Sequence, residues 1–395
     1  MLTIKLGRGA DKRIRNGHPW IFSNEISRID GEGTAGSTSD IYSAGGDYLG
    51  RGYHNPSSLI AVRLLTRNRE DIDTATFYRE RITRAVQYRK TLYPGVETFR
   101  AVYGEGDFLP GLVVDKYGDY LSLQLLTAGI EARKELIIPA LHYLFAPKGI
   151  VARNDVAVRG LEGLTMQTEV LYGDIPDQVE IEEHGLRFGV SLLTGQKTGH
   201  FLDQKENHLL LKEISVGKEV LDCFSYSGSW GIHAAAYGAT SVTAIDSSEK
   251  AVSLGKENAA RNGFSSIIRF ETGDAFERLR GLKSEGRRFD LIVLDPPAFI
   301  KSRKLIQEGL KGYLTINRRC MELLNPGGRL LTCSCSHHLD RGMFQELLLK
   351  AAVQSGREMR LLGIHSQSPD HPVLLAVPET EYLKCFILQA SDFVQ

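Results

Sequence analysis

Two cysteines in the segment LLTCSCSHHLD, Cys333 and Cys335, carry the side chain best suited to nucleophilic chemistry in this sequence. Because side chains on a strand alternate, both are predicted to share one face of a strand near the carboxyl edge of a sheet. A thiol becomes an effective nucleophile when a nearby positive charge lowers its pKa from about 8.5, and His337 or His338 could supply that charge. Two alternatives stay open: an ordinary buried cysteine at Cys333, and a metal cluster of the four residues. The C-x-C spacing disfavours the cluster, so we predict no metal site.

Acidic residues accompany three successive predicted strands in the second half of the chain. Asp222 precedes a turn that reaches a helix through Gly228, where free backbone N–H groups can meet a ligand. Asp246 stands 24 residues later, where a carboxylate can accept hydrogen bonds from ribose hydroxyls. Asp274, followed by the small Ala275, suits the edge of an adenine. The fingerprint GxGxxG is missing, which disfavours a nicotinamide dehydrogenase. The alternative for each acid is a helix N-cap.

A fourth acid, Asp295, ends the predicted strand of the segment FDLIVLDPPAF. Pro296 and Pro297 follow it, and two prolines fix the backbone and leave nearby carbonyl groups available beside a planar substrate. Asp295 could therefore hydrogen-bond the edge of a nucleobase. Its alternative is again an N-cap, which the prolines disfavour.

The elements that must position these residues suggest three domains in a chain of 395 residues. Residues 1–70 contain short strand-like runs and predict a small β-rich domain. Residues 71–182 predict an α+β domain with helices at 74–92 and about 131–145 and a hairpin that turns at 116–119. In residues 183–395, strands and helices alternate from 219 onward, which predicts an α/β domain with a mainly parallel sheet. Ligands bind such sheets at the carboxyl ends of their strands.

The charges and cysteines limit the partners and the compartment. Lys plus Arg equals Asp plus Glu at 48 each, so any nucleic acid must be bound by a local patch. Lys12, Arg13 and Arg15 form such a patch, or a solvated face. Five cysteines make no disulfide framework, and Cys223, Cys320 and Cys385 are expected in the core. The start lacks a secretory signal and the uncharged stretch 223–245 is too polar to span a membrane. We expect a soluble, cytoplasmic protein.

Over residues 185–395 the chain resembles the class I S-adenosylmethionine (SAM)-dependent methyltransferases. The resemblance rests on the four acidic segments described above and on the preceding segment GQKTGHFLDQKENH. It implies SAM as the cofactor, whose sulfonium could also supply the positive charge beside a cysteine. The residues that the resemblance assigns to the cofactor are Lys197, Thr198, Phe201, Asp203, Asp222, Phe224, Ser225, Gly228, Asp246, Ser247, Asp274, Ala275 and Asp295.

Nearly the whole chain is similar to the RlmI-like family of large-subunit ribosomal RNA (cytosine-C5) methyltransferases. The segments GHPWIF, GEGDFLPGLVVDKYGD, EEHGLRF and EYLKCF carry this similarity. It implies a PUA-like RNA-binding domain in residues 1–70, 23S ribosomal RNA as the partner, and Cys335 as the nucleophile with Asp295 as its catalytic partner. The TCS motif around Cys333 resembles the nucleophile motif of other RNA cytosine-C5 enzymes, so Cys333 stays an alternative. RNA contacts are expected from Lys12, Arg13, Arg15, His18, Trp20, Pro296 and Pro297.

Two other functions stay open at this stage. The segment DPPAF could serve an N-methyltransferase acting on guanine or adenine in RNA, which needs no covalent catalysis because the nitrogen already has a lone pair. The chain could also be a non-catalytic RNA-binding factor in ribosome assembly, which the intact acids disfavour. A homodimer is compatible with the sequence.

Overall fold

The computed structural model describes residues 2–391, which form two compact units. The hairpin of Val179–Glu183 and Leu186–Val190 contains the positions where the chain first passes from one unit to the other. Within residues 2–391, no helix combines the length and the apolar character needed to cross a membrane. The first unit comprises residues 2–181, 190–202 and 369–380, and the second comprises 182–189, 203–368 and 381–391.

The first unit begins with a six-stranded sheet and one short helix, Lys12–Arg15. Leu2, Ile4 and Leu6 are buried while the residues between them are more exposed, which is the alternation expected of a strand with one face on a core. The strands, in spatial order, are Trp20–Ile21, Val62–Thr66, Tyr48–His54, Ser37–Tyr42, Leu2–Leu6 and Ile26–Asp30.

A second, five-stranded sheet follows in the same unit. The helix Ala75–Leu92 begins where the Thr74 hydroxyl accepts the N–H of Phe77, an N-cap that satisfies one free donor of the first turn. This helix and Lys134–Phe145 pack on the sheet, so the predicted helices are confirmed, the second with a start three residues later. The predicted hairpin is confirmed because Tyr117 pairs with Tyr120. The strands, in spatial order, are Thr168–Gly173, Gly149–Arg153, Tyr120–Leu125, Leu112–Tyr117 and Thr98–Tyr103; the short helix Ala128–Glu131 follows Tyr120–Leu125.

The predicted divisions near residues 70 and 182 stay a prediction. The β-rich sheet and the five-stranded sheet are separate sheets, yet both belong to one compact unit. A buried ion pair between Arg63 and Glu162, at 2.8 Å, joins the two sheet regions within that unit. The hydroxyl of Ser58 donates to the same carboxylate, and so does the side-chain amide of Asn55.

The second unit is built on a seven-stranded sheet, which confirms the predicted α/β architecture. Five strands are parallel, and Lys384–Ala390 runs antiparallel to both of its neighbours. The strands, in spatial order, are Ile268–Thr272, Ser241–Asp246, Glu219–Cys223, Phe289–Leu294, Leu324–Ser334, Lys384–Ala390 and Met359–His365. The helices are Lys205–His208, Leu211–Ile214, Ser229–Ala236, Glu249–Arg261, Ala275–Ser284, Ile306–Glu322 and Arg341–Ser355.

The strand order reverses beside Glu219–Cys223. The next strand in sequence, Ser241–Asp246, lies on one side of it, and the later strand Phe289–Leu294 lies on the other. In open parallel sheets, ligands bind at such a switch point, outside the carboxyl ends of the strands. The residues that follow these strands therefore form the first place to look for a site.

Candidate active site

One carboxyl oxygen of Asp222 is buried and makes no hydrogen bond with residues 2–391. Its Oδ2 accepts the N–H of Gly231 at 3.0 Å, whereas its Oδ1 has no hydrogen-bond partner among residues 2–391. The buried hydroxyls of Ser225 and Ser227 are also unpartnered in that range. Burial raises the pKa of Asp222 to about 8. Buried polar groups are normally satisfied, so this group fits the charged amine of a ligand.

The loop after the first strand of this sheet has an unusual backbone. Phe224 and Tyr226 have positive φ values of 62° and 46°, which are uncommon for residues with a side chain. Gly228, at φ 83°, leads into the helix Ser229–Ala236, and a Cβ there would lie 2.8 Å from the ring of Phe270. Strained backbone of this kind is typical of ligand sites. The assignment of Asp222 and this loop to the cofactor site stays a prediction.

Asp246 is half-buried at the end of the neighbouring strand. Its two oxygens accept the backbone N–H groups of Tyr226 and Ser248, each at 2.9 Å. Each carboxylate oxygen keeps a further lone pair, so the group can still accept ribose hydroxyls. Ser247, the next residue, is exposed. Asp246 therefore connects the loop that contains Tyr226 to the strand Ser241–Asp246 by a hydrogen bond, at the carboxyl edge of the sheet.

Asp274 makes the contact of a helix N-cap, which was the alternative interpretation of this residue. It lies two residues beyond the strand Ile268–Thr272, and its Oδ1 accepts the N–H of Glu277 at 3.0 Å, which makes it the N-cap of the helix Ala275–Ser284. The carboxylate is exposed and Ala275 is buried. A capping carboxylate keeps free lone pairs, so the expected contact with adenine stays a prediction.

We expect the substitution Asp246→Ala to weaken SAM binding at least about tenfold. A hydrogen bond to a charged group contributes about 1.5–3 kcal/mol, which corresponds to this change in the dissociation constant. Calorimetric titration with SAM measures it. Glu249→Ala is the matched control because it removes an exposed carboxylate three residues away that is assigned to no site. An unchanged affinity in Asp246→Ala would remove this residue from the cofactor site.

Asp295 is held by two side chains that sequence reasoning missed. It follows the strand Phe289–Leu294, and its Oδ2 accepts the amide N–H of Gln204 at 3.0 Å and the indole N–H of Trp230 at 3.1 Å. Asp295 caps no helix, so its N-cap alternative is wrong. Pro296 is buried and Pro297 is exposed. Gln204 is adjacent to the predicted Asp203, and Trp230 lies two residues after the predicted Gly228. Neither position in the sequence indicated a contact with Asp295.

The two candidate nucleophiles, Cys333 and Cys335, differ in burial and in their position relative to the strand. Cys333 is fully buried on the strand Leu324–Ser334 opposite Cys385, and burial raises the pKa of Cys333 well above its ordinary value. Cys335 is half-buried and lies one residue beyond the end of the strand. The prediction that both sit on the strand is therefore wrong for Cys335, and the core interpretation describes Cys333. Cys223, Cys320 and Cys385 are buried, as predicted.

A buried lysine supplies positive charge beside Cys335. Lys384 donates to the carbonyl oxygens of Ser336, at 2.8 Å, and Tyr382, at 2.7 Å. Burial lowers the pKa of Lys384 to about 8. The interaction with the charge of Cys335 raises this pKa and so offsets part of the effect of burial. Lys384 was not among the predicted residues, although its segment EYLKCF was noted. The exposed ring of His337 packs against Tyr382 at 5.6 Å.

Four predicted cofactor residues lie in the lead-in segment. Lys197, Thr198 and Phe201 belong to the first unit, where Thr198 donates to Asp115 at 2.5 Å and the Lys197 amine lies 4.5 Å from the centre of the Phe201 ring. Asp203 belongs to the second unit, and its Oδ2 accepts the hydroxyl of Tyr382 at 2.6 Å. Their part in SAM binding stays a prediction.

The predicted basic patch is partly neutralised by its own neighbours. Arg13 pairs with Glu25 at 2.7 Å, and Arg15 pairs with Asp47 at 2.5 Å. Lys12 is exposed. Each intramolecular pair reduces the charge available to a phosphate, so contact with RNA through this patch stays a prediction.

His18 and Trp20 of the segment GHPWIF have contacts inside the first unit. His18 is buried with its Nε2 3.2 Å from Glu379, and the indole N–H of Trp20 donates to Glu105 at 2.8 Å. These bonds give both residues a structural role. Their predicted contact with RNA is untested.

A seven-stranded sheet with acids at the carboxyl ends of its strands defines a class I SAM-dependent methyltransferase. Residues 163–375 match the family model of the S-adenosylmethionine-dependent methyltransferases, and residues 4–67 match that of a PUA-like domain. SAM is therefore the cofactor of this chain. Two solved structures share the fold. SMU.776, complexed with SAH, has a TM-score of 0.87 at 21% identity and covers 98% of this chain and 100% of its own. A SAM-dependent methyltransferase from Agrobacterium tumefaciens has a TM-score of 0.53 at 19% identity, covering 76% and 92%.

Curated relatives match almost end to end. The protein named ribosomal RNA large subunit methyltransferase I is 40% identical over 390 residues in Vibrio cholerae, covering 97% of this chain and 98% of that protein. The Klebsiella pneumoniae protein of the same name is 38% identical over 387 residues, 97% of each chain. The chain belongs to the ribosomal RNA large subunit methyltransferase I family.

Proposed function

We propose that this chain methylates C5 of a cytosine in large-subunit ribosomal RNA, with Cys335 as a covalent nucleophile. The name of the curated relatives supports the RNA substrate. The observation that carries the chemistry is the half-buried Cys335 at the end of its strand, next to the buried amine of Lys384. Leu294 pairs with Thr332 on the neighbouring parallel strand, so Asp295 and Cys335 follow their strands at the same edge.

Carbon methylation explains the need for a thiol. C5 of cytosine has no lone pair to offer a methyl donor, and SAM supplies the methyl group when bound. The thiolate of Cys335 adds to C6, which places electron density on C5. C5 would then take the methyl group as the bond between that group and the sulfonium sulfur breaks. The C5 proton passes to water, and the electron pair of its C–H bond forms the C5–C6 double bond and expels the Cys335 thiolate from C6. The negative charge that the addition creates is neutralised by a proton taken up from water at N3, and Asp295 stabilises the adduct by accepting hydrogen bonds from N3–H and the 4-amino group.

Lys384 has the position needed to keep Cys335 ionised. Its amine donates to the carbonyl of the residue that follows Cys335, and it interacts with that thiol electrostatically. A nearby cation lowers the pKa of a thiol and raises its thiolate fraction at neutral pH. Because burial lowers the pKa of Lys384 to about 8, this assistance is present at neutral pH and is lost progressively as the pH rises through 8.

We expect Lys384→Met to lower the methylation rate at pH 7 about tenfold, with recovery as the pH rises. A shift of one unit in the pKa of Cys335 changes the thiolate fraction by this factor. Single-turnover rates across pH measure it. Lys384→Arg keeps the cation and is the matched control. An equal loss at every pH would show that Lys384 acts only by holding Ser336.

The proposed function is tested on the nucleosides of ribosomal RNA. RNA from cells lacking the protein, incubated with the purified chain and SAM, is digested and analysed by mass spectrometry. We expect new 5-methylcytidine in large-subunit RNA. Methylated guanine or adenine would support the N-methyltransferase alternative, and no new methylation on naked RNA or on assembling particles would support the assembly factor.

A further inference from the structure

Three buried side chains of the second unit converge outside the methyltransferase site. Glu183 lies on the junction hairpin, His208 ends the helix Lys205–His208, and His233 lies on the helix Ser229–Ala236. All three are at most 3% exposed, and their candidate ligand atoms all lie within 4.8 Å of one another. No step of the proposed reaction uses them.

The carboxylate of Glu183 faces both imidazole rings. Its Oε1 lies 2.5 Å from Nδ1 of His208 and 3.6 Å from Nε2 of His233. The two rings stack with their centres 4.5 Å apart. One carboxylate oxygen therefore lies between two ring nitrogens.

The tautomer of His233 is set by its other nitrogen. Nδ1 lies 2.8 Å from the carbonyl oxygen of Ser229, and a carbonyl only accepts, so Nδ1 carries the proton. Nε2 of His233 consequently presents a lone pair toward the Glu183 carboxylate, and this nitrogen has no hydrogen-bond partner among residues 2–391.

A cation between Nε2 of His233 and the Glu183 carboxylate would satisfy both of these electron-rich groups in the core. We propose that Glu183, His208 and His233 bind a divalent transition-metal ion, of which Zn²⁺ fits best. Two imidazoles and one carboxylate form a donor set that zinc prefers, and it binds His nitrogen and carboxylate oxygen in the same site. Binding would replace the hydrogen bond between His208 and Glu183, as metal ligands must be deprotonated. We predicted no metal site from the sequence, where only a cluster of Cys333, Cys335, His337 and His338 was considered. Glu183, His208 and His233 are 25 residues apart in turn, and no linear pattern indicates that they converge.

The site is joined to the catalytic residues through one helix. Trp230 packs its ring edge against His208, at 4.5 Å between ring centres, and donates its indole N–H to Asp295. His233 lies three residues later on the same helix. A bound ion would fix this helix and thereby position Asp295.

The experiment measures the metal itself in the full chain, purified without a polyhistidine tag or chelator. We expect one zinc ion per chain by elemental mass spectrometry, and a Co²⁺-substituted protein with the visible absorption of a four-coordinate site. Chelator should lower the melting temperature of the parent. In His233→Gln and Glu183→Gln, zinc affinity should fall at least about tenfold, and chelator should no longer change the melting temperature.

His184→Asn is the matched control. Its ring centre lies 6.1 Å from that of His233, its Nε2 contacts the carbonyl of Lys205, and asparagine tolerates the left-handed backbone at φ 51°. This variant should keep its zinc. A parent that binds neither added Zn²⁺ nor Co²⁺ would overturn the proposal and leave a hydrogen-bonded core cluster, and so would full zinc content in a folded His233→Gln protein. The parent measurements decide the question even if a variant fails to fold.

Discussion

Replacing Cys335 with alanine is expected to reduce methyl transfer at least about 10³-fold, because the covalent bond to C6 is then lost. Cys333→Ala should keep most of the activity, since Cys333 is buried against Cys385 and its raised pKa holds it as a thiol. Rates of methyl transfer to ribosomal RNA from radiolabelled SAM measure both variants. SAM affinity should be similar in the two, which separates lost chemistry from lost binding.

A trapping experiment distinguishes the two thiols more directly. Substrate RNA with 5-fluorocytosine at the target should form a stable covalent complex with the parent, because fluorine cannot leave as the C5 proton does. Cys335→Ala should abolish the complex and Cys333→Ala should retain it. Loss of the complex in Cys333→Ala alone would move the nucleophile two residues upstream. Activity in both variants, with no complex in the parent, would favour N-methylation.

The fold of the second unit was predictable because its local and global signals agree. Apolar runs such as EVLDCF and FDLIVLD are short, bounded by turn residues and separated by helical stretches, a pattern that specifies a parallel sheet covered on both faces. The acids of the cofactor site follow from the same logic, since parallel strands place their carboxyl ends at one edge. The order of strands and helices does not determine which group each acid contacts. Asp274, for example, caps a helix.

The side chains that support the site could not be predicted, for a physical reason. Trp230 and Asp295 are 65 residues apart and Gln204 is 91 residues from Asp295, and nothing in a linear pattern indicates which donor reaches which acceptor. Lys384 is placed by an antiparallel strand at the far end of the sequence, whose register sets it opposite Ser334. Such contacts depend on three-dimensional register, which single-sequence periodicity does not determine.

The segment GHPWIF shows a different limit. We predicted from the family resemblance of this segment that His18 and Trp20 contact RNA. In the structure, Glu379 and Glu105, from distant parts of the chain, satisfy their polar atoms. Buried aromatic side chains with a polar atom usually find such a partner, so composition alone does not distinguish a structural residue from a binding residue.

Asp295→Ala is expected to lower kcat on the order of 10²–10³-fold with little change in KM for RNA. A group that stabilises charge developing on the base acts mainly in the transition state, and losses of this size are typical of such groups. The substitution also leaves the donors of Gln204 and Trp230 without their acceptor, which should cost about 1–3 kcal/mol of stability. Steady-state kinetics and denaturant unfolding measure the two effects separately.

Trp230→Phe separates the catalytic role of Asp295 from a structural one. It removes a single donor to the Asp295 carboxylate and keeps a large ring beside His208. If Asp295 contacts the base, Trp230→Phe should lower kcat far less than Asp295→Ala, because the carboxylate remains and Gln204 still holds it. Equal losses of kcat in the two variants, with equal losses of stability, would mean that Asp295 only anchors the helix Ser229–Ala236. In that case the hydrogen bonds to N3 and the 4-amino group must come from another residue at this edge.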